Sequence, residues 1–221
     1  MVDFAKFKSV AAKVIDNFEG GYFHPDMLKD GRIKDARYSA SGETMYGIDR
    51  LKGGKINETE SGKLFWQTID KANARKNWAW NYMGGKLKPL LTDLASSMIY
   101  SLYKVYLKLY IKSPELIKLI ETDERLLLHL VYATWNGAGW FKKFATDLTN
   151  GFNSGLSDQN KLYQIALFSR TKEGLTKGSK PNSLIRQTGL KIERMFKSFK
   201  PALPVMLFVG IGLLLYLSIK N

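Results

Sequence analysis

The chain has 221 residues, a formal net charge of +14, two histidines and no cysteine. Without cysteine there is no disulfide framework, no thiol nucleophile and no Cys-ligated metal, and two histidines argue against a zinc enzyme. We therefore expect no metal and no cofactor. About 200 residues are enough for one soluble domain with a well-buried core. A basic surface suits anionic lipid, nucleic acid or the acidic bacterial wall, and charge alone does not choose among these partners.

The N-terminal part of the chain is predicted to form one helix followed by a small β region. Apolar residues recur at helical spacing from Phe4 to Phe18, and Gly20-Gly21 ends that helix. Residues 22 to 50 then break the helical pattern. Asp30-Gly31 is a tight-hairpin signal, and residues 38 to 48 are expected to supply another short strand.

The rest of the chain is predicted to be helical. Asn57, with Glu60 three residues later, indicates a capped helix start. Pro89 is tolerated in a first turn and predicts a long helix that runs to Lys112. Shorter helices are expected at residues 115–121, 123–135, 140–149, 158–170 and 183–198, with a loop at 172–181. The predicted fold class is mainly α, an α+β arrangement of a helical body with a small β-hairpin lobe.

The C-terminal end predicts a membrane anchor. Residues 202 to 219 contain no charged side chain, and at about 1.5 Å per residue they cover a bilayer core of roughly 30 Å. A buried core helix is the alternative. We expect a soluble domain over residues 1–198, and a basic juxtamembrane end with one transmembrane helix over 199–221. The basic residues before the span favour anionic lipid head groups.

Glu19 is the candidate catalytic acid. It follows Phe18 on the buried face of the first helix, where the helix carbonyl groups point. Partial desolvation and the negative end of the helix dipole both disfavour a carboxylate, so both raise its pKa. A glycosidase needs a carboxylic acid that is still protonated near neutral pH, because it must protonate the leaving sugar oxygen. A Glu before Gly-Gly is also common as a solvated helix end, so spacing alone leaves both interpretations open.

Two short motifs carry a family resemblance. Glu19-Gly20-Gly21-Tyr22, followed by Thr44-Met45-Tyr46-Gly47-Ile48, resembles the opening signature of glycoside hydrolase family 108 muramidases, an E-G-G-Y segment and then a T-x-x-G-I segment. The pair is more distantly similar to the phage-type lysozymes of family 24. Residues 128–137 resemble the central helix of those enzymes, and Gly189-Leu190 with Arg194 resembles their late helix. The resemblance implies a lysozyme-like fold that cleaves glycan.

The resemblance also implies catalytic residues. Glu19 matches the family's acid, and Thr44 matches the hairpin threonine that holds a water or contacts the reacting sugar. The family has an Asp-Pro pair shortly after E-G-G-Y, whereas this chain reads His24-Pro25-Asp26. Asp26 is therefore the first candidate for the base or electrostatic partner, with Asp35 and Glu43 behind it.

Four further residues are predicted to bind substrate. Tyr22 and Tyr46 lie within the motifs and are expected to contact sugar. Trp135 and Asn136 stand at a helix break and are expected to line a glycan groove. Packing in the core is the alternative for the aromatic residues.

These residues predict a membrane-anchored muramidase that cleaves peptidoglycan between N-acetylmuramic acid and N-acetylglucosamine. If no second carboxylate lies near the acid, a lytic transglycosylase is the alternative, because one acid/base suffices when the sugar's own hydroxyl attacks. An alternative from another class is a non-enzymatic, membrane-anchored basic virion protein that binds nucleic acid or lipid.

The charges around the span predict which side of the membrane the domain occupies. Lys and Arg crowd the N-terminal side of the span, so the positive-inside tendency leaves the large domain on the cytoplasmic side, whereas peptidoglycan lies on the other side. A phage whose virion contains a membrane would resolve this, since an anchored muramidase could open the wall during genome delivery. Lysis from within is the other resolution. The expected location is a virion internal membrane or the host inner membrane. Since the N-terminus has no apolar signal-peptide stretch, we expect the anchor to bring the chain to that membrane.

Overall fold

A computed structural model describes residues 1–19, 21–29, 42–74, 85–176 and 191–194. These residues are mainly helical and include one two-stranded antiparallel sheet, which confirms the predicted mainly α class with a small hairpin. The elements in chain order are α1 (Phe4–Asn17), α2 (Asp26–Lys29), β1 (Thr44–Met45), β2 (Ile48–Asp49), α3 (Lys55–Glu58), α4 (Glu60–Lys71), a 3₁₀ turn (Gly85–Leu87), α5 (Lys88–Tyr110), α6 (Pro114–Thr122), α7 (Glu124–Trp135), α8 (Ala138–Asn153) and α9 (Gln159–Thr176). Residues 191–194 are also helical.

Helix α1 forms where the apolar spacing predicts it. Asp3 caps the helix by accepting a hydrogen bond from the Lys6 backbone N–H at 2.9 Å. Phe7, Val10 and Val14 are buried on one face, at the three- and four-residue spacing of an amphipathic helix. Burial of this face fixes the direction in which the end of α1 presents Glu19, two residues beyond Asn17.

The long helix α5 runs through two hydrophobic clusters. Near its start, Leu91, Ala95 and Met98 pack in a cluster formed with the hairpin, α3 and α4. Further along, Tyr103 and Leu107 pack in a larger cluster formed with α1 and α6 to α9. Trp135, at the end of α7, packs against both clusters. The junction of the two clusters is where the motif residues meet.

Helix α7 is the central helix of the larger cluster. Every residue from 126 to 134 is buried, so no face of this helix is left for solvent. Asp123 caps its start by accepting a hydrogen bond from the Arg125 backbone N–H at 2.9 Å. A helix held on all sides is a rigid support for the side chain at its end.

The predicted cap at Asn57 is wrong. Thr59 caps α4, since its hydroxyl accepts a hydrogen bond from the Gly62 backbone N–H at 3.1 Å. The Asn57 side chain instead donates hydrogen bonds to the carbonyl groups of Asp49, at 3.0 Å, and Arg50, at 2.8 Å. Asn57 therefore braces the second strand of the hairpin.

Two other predicted boundaries change. The strand expected over residues 38–48 contains, in its described part, a turn at Tyr46–Gly47 with β1 before it and β2 after it. Helix α9 continues to Thr176, so the first half of the loop predicted at 172–181 is helical. The Asp30-Gly31 turn and most of the helix predicted at 183–198 lie outside the described residues.

The predicted membrane span, residues 202–219, also lies outside the described residues. Among the helices of the described ranges, none is long and apolar enough to cross a membrane.

Candidate active site

Glu19 lies immediately beyond the C-terminal end of α1. Its backbone N–H donates at 3.2 Å to the Val14 carbonyl, which also accepts from the Phe18 N–H, and this bond holds Glu19 against the end of the helix. The side chain is half-buried, and within the described residues its carboxyl group makes no hydrogen bond or ion pair. Burial raises the pKa of Glu19 from its ordinary 4.5 to about 7. A large share of Glu19 is therefore protonated at neutral pH, and no group among the described residues holds its proton.

The hairpin presents a tight turn to this carboxyl group. β1 and β2 pair in the register Thr44 with Asp49 and Met45 with Ile48, which leaves a two-residue loop. Tyr46 and Gly47 have φ values of +52° and +71°, the pattern of a type I′ turn. Both residues occupy the left-handed region, which a tyrosine rarely adopts.

Gly47 touches Glu19. A Cβ atom built on Gly47 would lie 2.0 Å from Glu19 Oε2 and 2.9 Å from Glu19 Cδ. The same point is 3.5 Å from Trp135 Nε1. Glycine at position 47, the fourth residue of Thr44-Met45-Tyr46-Gly47-Ile48, therefore avoids a collision between a side chain and the candidate acid.

Trp135 joins the end of α7 to the hairpin turn. Its indole Nε1–H donates a hydrogen bond of 2.7 Å to the backbone carbonyl oxygen of Tyr46. Glu19, Gly47 and Trp135 therefore come together from α1, the hairpin and α7. Trp135 was predicted to contact substrate, and that role stays a prediction.

Thr44 lies on β1 and is half-buried. On one side Thr44 lies opposite Asp49 in the hairpin register. On the other side it exchanges two backbone hydrogen bonds with Phe23, of 2.8 and 2.9 Å. These bonds attach the segment that follows Glu19 to the edge of the hairpin. The catalytic role of Thr44 stays a prediction.

Asp26, the first candidate for the second carboxylate, begins the short helix α2. Its Oδ2 is 3.5 Å from His24 Nδ1, and its Oδ1 is 3.4 Å from Lys29 Nζ. The carboxylate thus has basic groups on both oxygens. Asp35 lies outside the described residues.

Glu43 is held in a network that the sequence did not predict. The Tyr22 hydroxyl donates to Glu43 Oε1 at 2.6 Å, and Arg50 Nη1 lies 2.8 Å from Glu43 Oε2. Arg50 also makes two hydrogen bonds of 2.7 Å with Asp70 on α4. The hydrogen bonds to Arg50 hold the pKa of Asp70 below its ordinary value, and the pKa of Arg50 is raised. Glu43 therefore serves to tie the hairpin to α4.

The remaining predicted substrate residues lie inside the protein or cap a helix. The Tyr22 and Tyr46 side chains are buried, and burial raises the pKa of Tyr46 to about 12. The Asn136 side chain donates to the Tyr132 carbonyl at 2.7 Å and so caps the end of α7. Their roles as sugar contacts stay predictions. Among the described residues, no group of three or more acidic or histidine side chains is arranged to hold a metal ion.

Comparison of the chain with protein-family models, curated proteins and solved structures finds no significant match.

The raised pKa of Glu19 predicts a pH-dependent stability. Because the pKa is higher in the folded state, the contribution of Glu19 to the free energy of unfolding is fully present below pH 4.5 and is lost as the pH rises through about 7. The free energy of unfolding lost over this range is roughly 3 kcal/mol at most. Glu19→Gln removes this titration, so the variant should gain stability relative to wild type between about pH 4 and about pH 8, measured by urea unfolding. Parallel stability curves for the two proteins would show that Glu19 titrates normally.

The Arg50 network predicts that loss of its central residue, Arg50, destabilises the protein more than loss of its exposed end, Asp70. Arg50→Met leaves the Glu43 carboxylate, which is 15% exposed, with Tyr22 as its remaining partner, and should destabilise the protein by about 1–3 kcal/mol. Asp70→Asn is the matched control. Its side chain is 51% exposed, so the cost should be about 0.2–1 kcal/mol. Equal losses in the free energy of unfolding for Arg50→Met and Asp70→Asn, measured in urea, would argue that Glu43 does not need Arg50 as a partner.

Proposed function

We propose that this protein is a lysozyme-like muramidase that cleaves the glycan strand of bacterial peptidoglycan, with Glu19 as the general acid. The observation that carries the proposal is the half-buried Glu19 carboxyl group, which has a pKa of about 7 and lies against the Gly47 turn. Such a group can donate a proton to a glycosidic oxygen near neutral pH. The mainly α body with its hairpin lobe suits the α+β lysozyme-like arrangement that the motifs imply.

In the hydrolytic reaction, Glu19 protonates the leaving oxygen while a second group stabilises the oxocarbenium-like centre or activates water. Asp26 is the proposed carboxylate for that step, and Thr44 the proposed residue that holds the water. The expected bond cleaved joins N-acetylmuramic acid to N-acetylglucosamine.

A lytic transglycosylase is the second candidate, and one observation favours it. The described carboxylates of the hairpin region each have partners: Asp26 has His24 and Lys29, and Glu43 has Tyr22 and Arg50. The Asp49 carboxylate accepts hydrogen bonds from the backbone at 2.8 and 2.7 Å. In a transglycosylase, Glu19 alone would act as acid and then as base while the sugar's own hydroxyl attacks.

The test is clearance of purified peptidoglycan by the full-length chain in mild detergent. The proposal expects turbidity to fall, with faster clearance below about pH 7 than above it, because Glu19 must carry its proton. No clearance, together with salt-sensitive binding to nucleic acid or anionic vesicles, would instead favour the non-enzymatic basic virion protein.

We also propose that residues 202–219 anchor the protein in a membrane, in a virion or in the host. The expected result is that full-length protein requires detergent for extraction, whereas residues 1–200 are soluble and still clear peptidoglycan. Their basic residues should bind anionic vesicles weakly, and salt should abolish that binding because exposed charges are screened. Release of the full-length chain by high salt alone would contradict the anchor.

A further inference from the structure

The Tyr46–Gly47 turn is strained and is held from outside the hairpin. A tyrosine in the left-handed region costs about 1–2 kcal/mol, and such a conformation persists only when its surroundings determine it. Two features determine it here: the Tyr46 side chain is buried, and the Tyr46 carbonyl accepts the 2.7 Å hydrogen bond from Trp135. The turn therefore depends on a residue 89 positions away in the chain.

The carbonyl that Trp135 holds belongs to the central peptide of the turn. A type I′ turn and a type II′ turn differ by a flip of this peptide, which reverses the sign of φ at the second central residue. In this protein that residue is Gly47, with φ +71°. The hydrogen bond from Trp135 thus selects the type I′ form, and only with this peptide orientation does Gly47 take its observed place beside Glu19.

Gly47 covers one side of the Glu19 carboxyl group. Glu19 Oε2 and Trp135 Nε1 both lie within 3.5 Å of the position that a Gly47 Cβ would occupy. Water cannot reach the carboxyl group from the side on which the turn lies. If the turn moved or its peptide flipped, that side of Glu19 would become hydrated.

We propose that Trp135 is a positioning residue that fixes the Tyr46–Gly47 peptide against the Glu19 carboxyl group and thereby keeps water from one side of the acid. This inference deepens the proposed function and rests on it only for the consequence in catalysis. Trp135 acts through the turn, and it transfers no proton itself.

Within the described ranges, the charged groups on the elements that surround Glu19 are engaged with partners other than Trp135. On α1, Asp16 Oδ1 lies 2.7 Å from Lys88 Nζ. From residues 191–194, Lys191 donates to the Asn17 carbonyl and lies over the Phe18 ring. On the hairpin, Glu43 and Asp49 have the partners given above, and Arg50 bridges Glu43 and Asp70. On α7, Glu124 pairs with Lys13, Arg125 pairs with Asp123, and His129 is buried. A change at Trp135 should therefore alter hydration of Glu19 without removing an ion pair from it.

The experiment follows the titration of the Glu19 carboxyl carbon by NMR in the ¹³C-glutamate-labelled full chain in detergent micelles, for wild type and two Trp→Phe variants. Trp135→Phe keeps an aromatic ring and removes the N–H donor. We expect the titration midpoint of Glu19 to fall by about one pH unit or more. Trp140→Phe is the matched control, because Trp140 stacks on Phe144, with ring centroids 6.1 Å apart, and should leave the midpoint unchanged.

In wall clearance, Trp135→Phe should move the alkaline limb of the pH profile downward by the same amount, while Trp140→Phe should leave it in place. An unchanged Glu19 midpoint in folded Trp135→Phe would overturn the inference.

If that variant does not fold, the Trp135 indole N–H resonance of the wild-type protein provides the test. It should titrate with the same midpoint as Glu19, and a pH-independent resonance would overturn the inference. A shifted midpoint in a protein that clears no wall would mean that the proposed function fails while the positioning role stands.

Discussion

Glu19→Gln is expected to lower the rate of glycan cleavage by about 10² to 10⁴, the usual contribution of general acid catalysis. Glutamine keeps the size of the side chain and removes the ionisable proton. The fold should be unchanged, because the Glu19 carboxyl group makes no hydrogen bond or ion pair within the described residues. The rate is measured as clearance of purified peptidoglycan at about pH 5, where wild-type Glu19 holds its proton.

Asp16→Asn is the control for this variant. Asp16 lies on α1, three residues before Glu19 in the chain, is 50% exposed and pairs with Lys88. This variant therefore removes a nearby acid that has no proposed role. Its clearance rate should stay near that of wild type. A Glu19→Gln protein that clears wall at the wild-type rate would eliminate Glu19 as the acid.

Gly47→Ala is expected to produce the largest loss of stability among the variants considered. An alanine at φ +71° costs about 1–2 kcal/mol, and overpacking adds typically about 1–3 kcal/mol. The overpacking arises because the new methyl group would lie 2.0 Å from Glu19 Oε2. Urea unfolding measures the sum, which we expect to be about 2–5 kcal/mol. Cleavage should also fall, since either the turn or Glu19 must move.

Gly155→Ala separates backbone strain from the collision. Gly155 also has a positive φ, +91°, but nothing lies within 4 Å of the position that its Cβ would take. This variant should therefore show the backbone cost alone. If Gly47→Ala were no more destabilising than Gly155→Ala, the Glu19 side chain would have moved aside without cost, and the expected overpacking would be contradicted.

Local sequence could predict the helices and the identity of the candidate acid. The apolar spacing from Phe4 to Phe18 defines a buried face, and the structure forms α1 over Phe4–Asn17. Pro89 likewise indicates the start of α5, which begins at Lys88. Glu19 and Gly47 stand in short motifs, so they could be selected without knowledge of the fold.

Local sequence could not predict the contacts that build the site. The hydrogen bond from Trp135 to Tyr46 spans 89 residues, and nothing near Trp135 indicates its partner. Arg50 and Asp70 belong to no motif, and only the pairing of β1 with β2 brings Arg50 to Glu43. The signal that could have located the turn was the Tyr46-Gly47 pair between two short β segments, since a two-residue loop with glycine favours a type I′ hairpin.

The error at Asn57 has a physical cause. Asparagine caps helices because its side chain satisfies nearby backbone groups, and it will do the same for any backbone group within reach. In this fold its amide group donates to the carbonyls of Asp49 and Arg50, and Thr59 caps α4. A capping pattern therefore identifies a residue that needs backbone partners without identifying which partners it finds.

The most direct test of the central claim is the chemistry of the ends left on digested glycan. Purified peptidoglycan treated with the full-length protein would be analysed by mass spectrometry, with Glu19→Gln protein as the control. The muramidase assignment predicts disaccharide-containing fragments with a reducing N-acetylmuramic acid end, formed by wild type and nearly absent with the variant. Intact glycan strands, or equal fragmentation by both proteins, would contradict it, and anhydro-sugar ends would replace hydrolysis with transglycosylation.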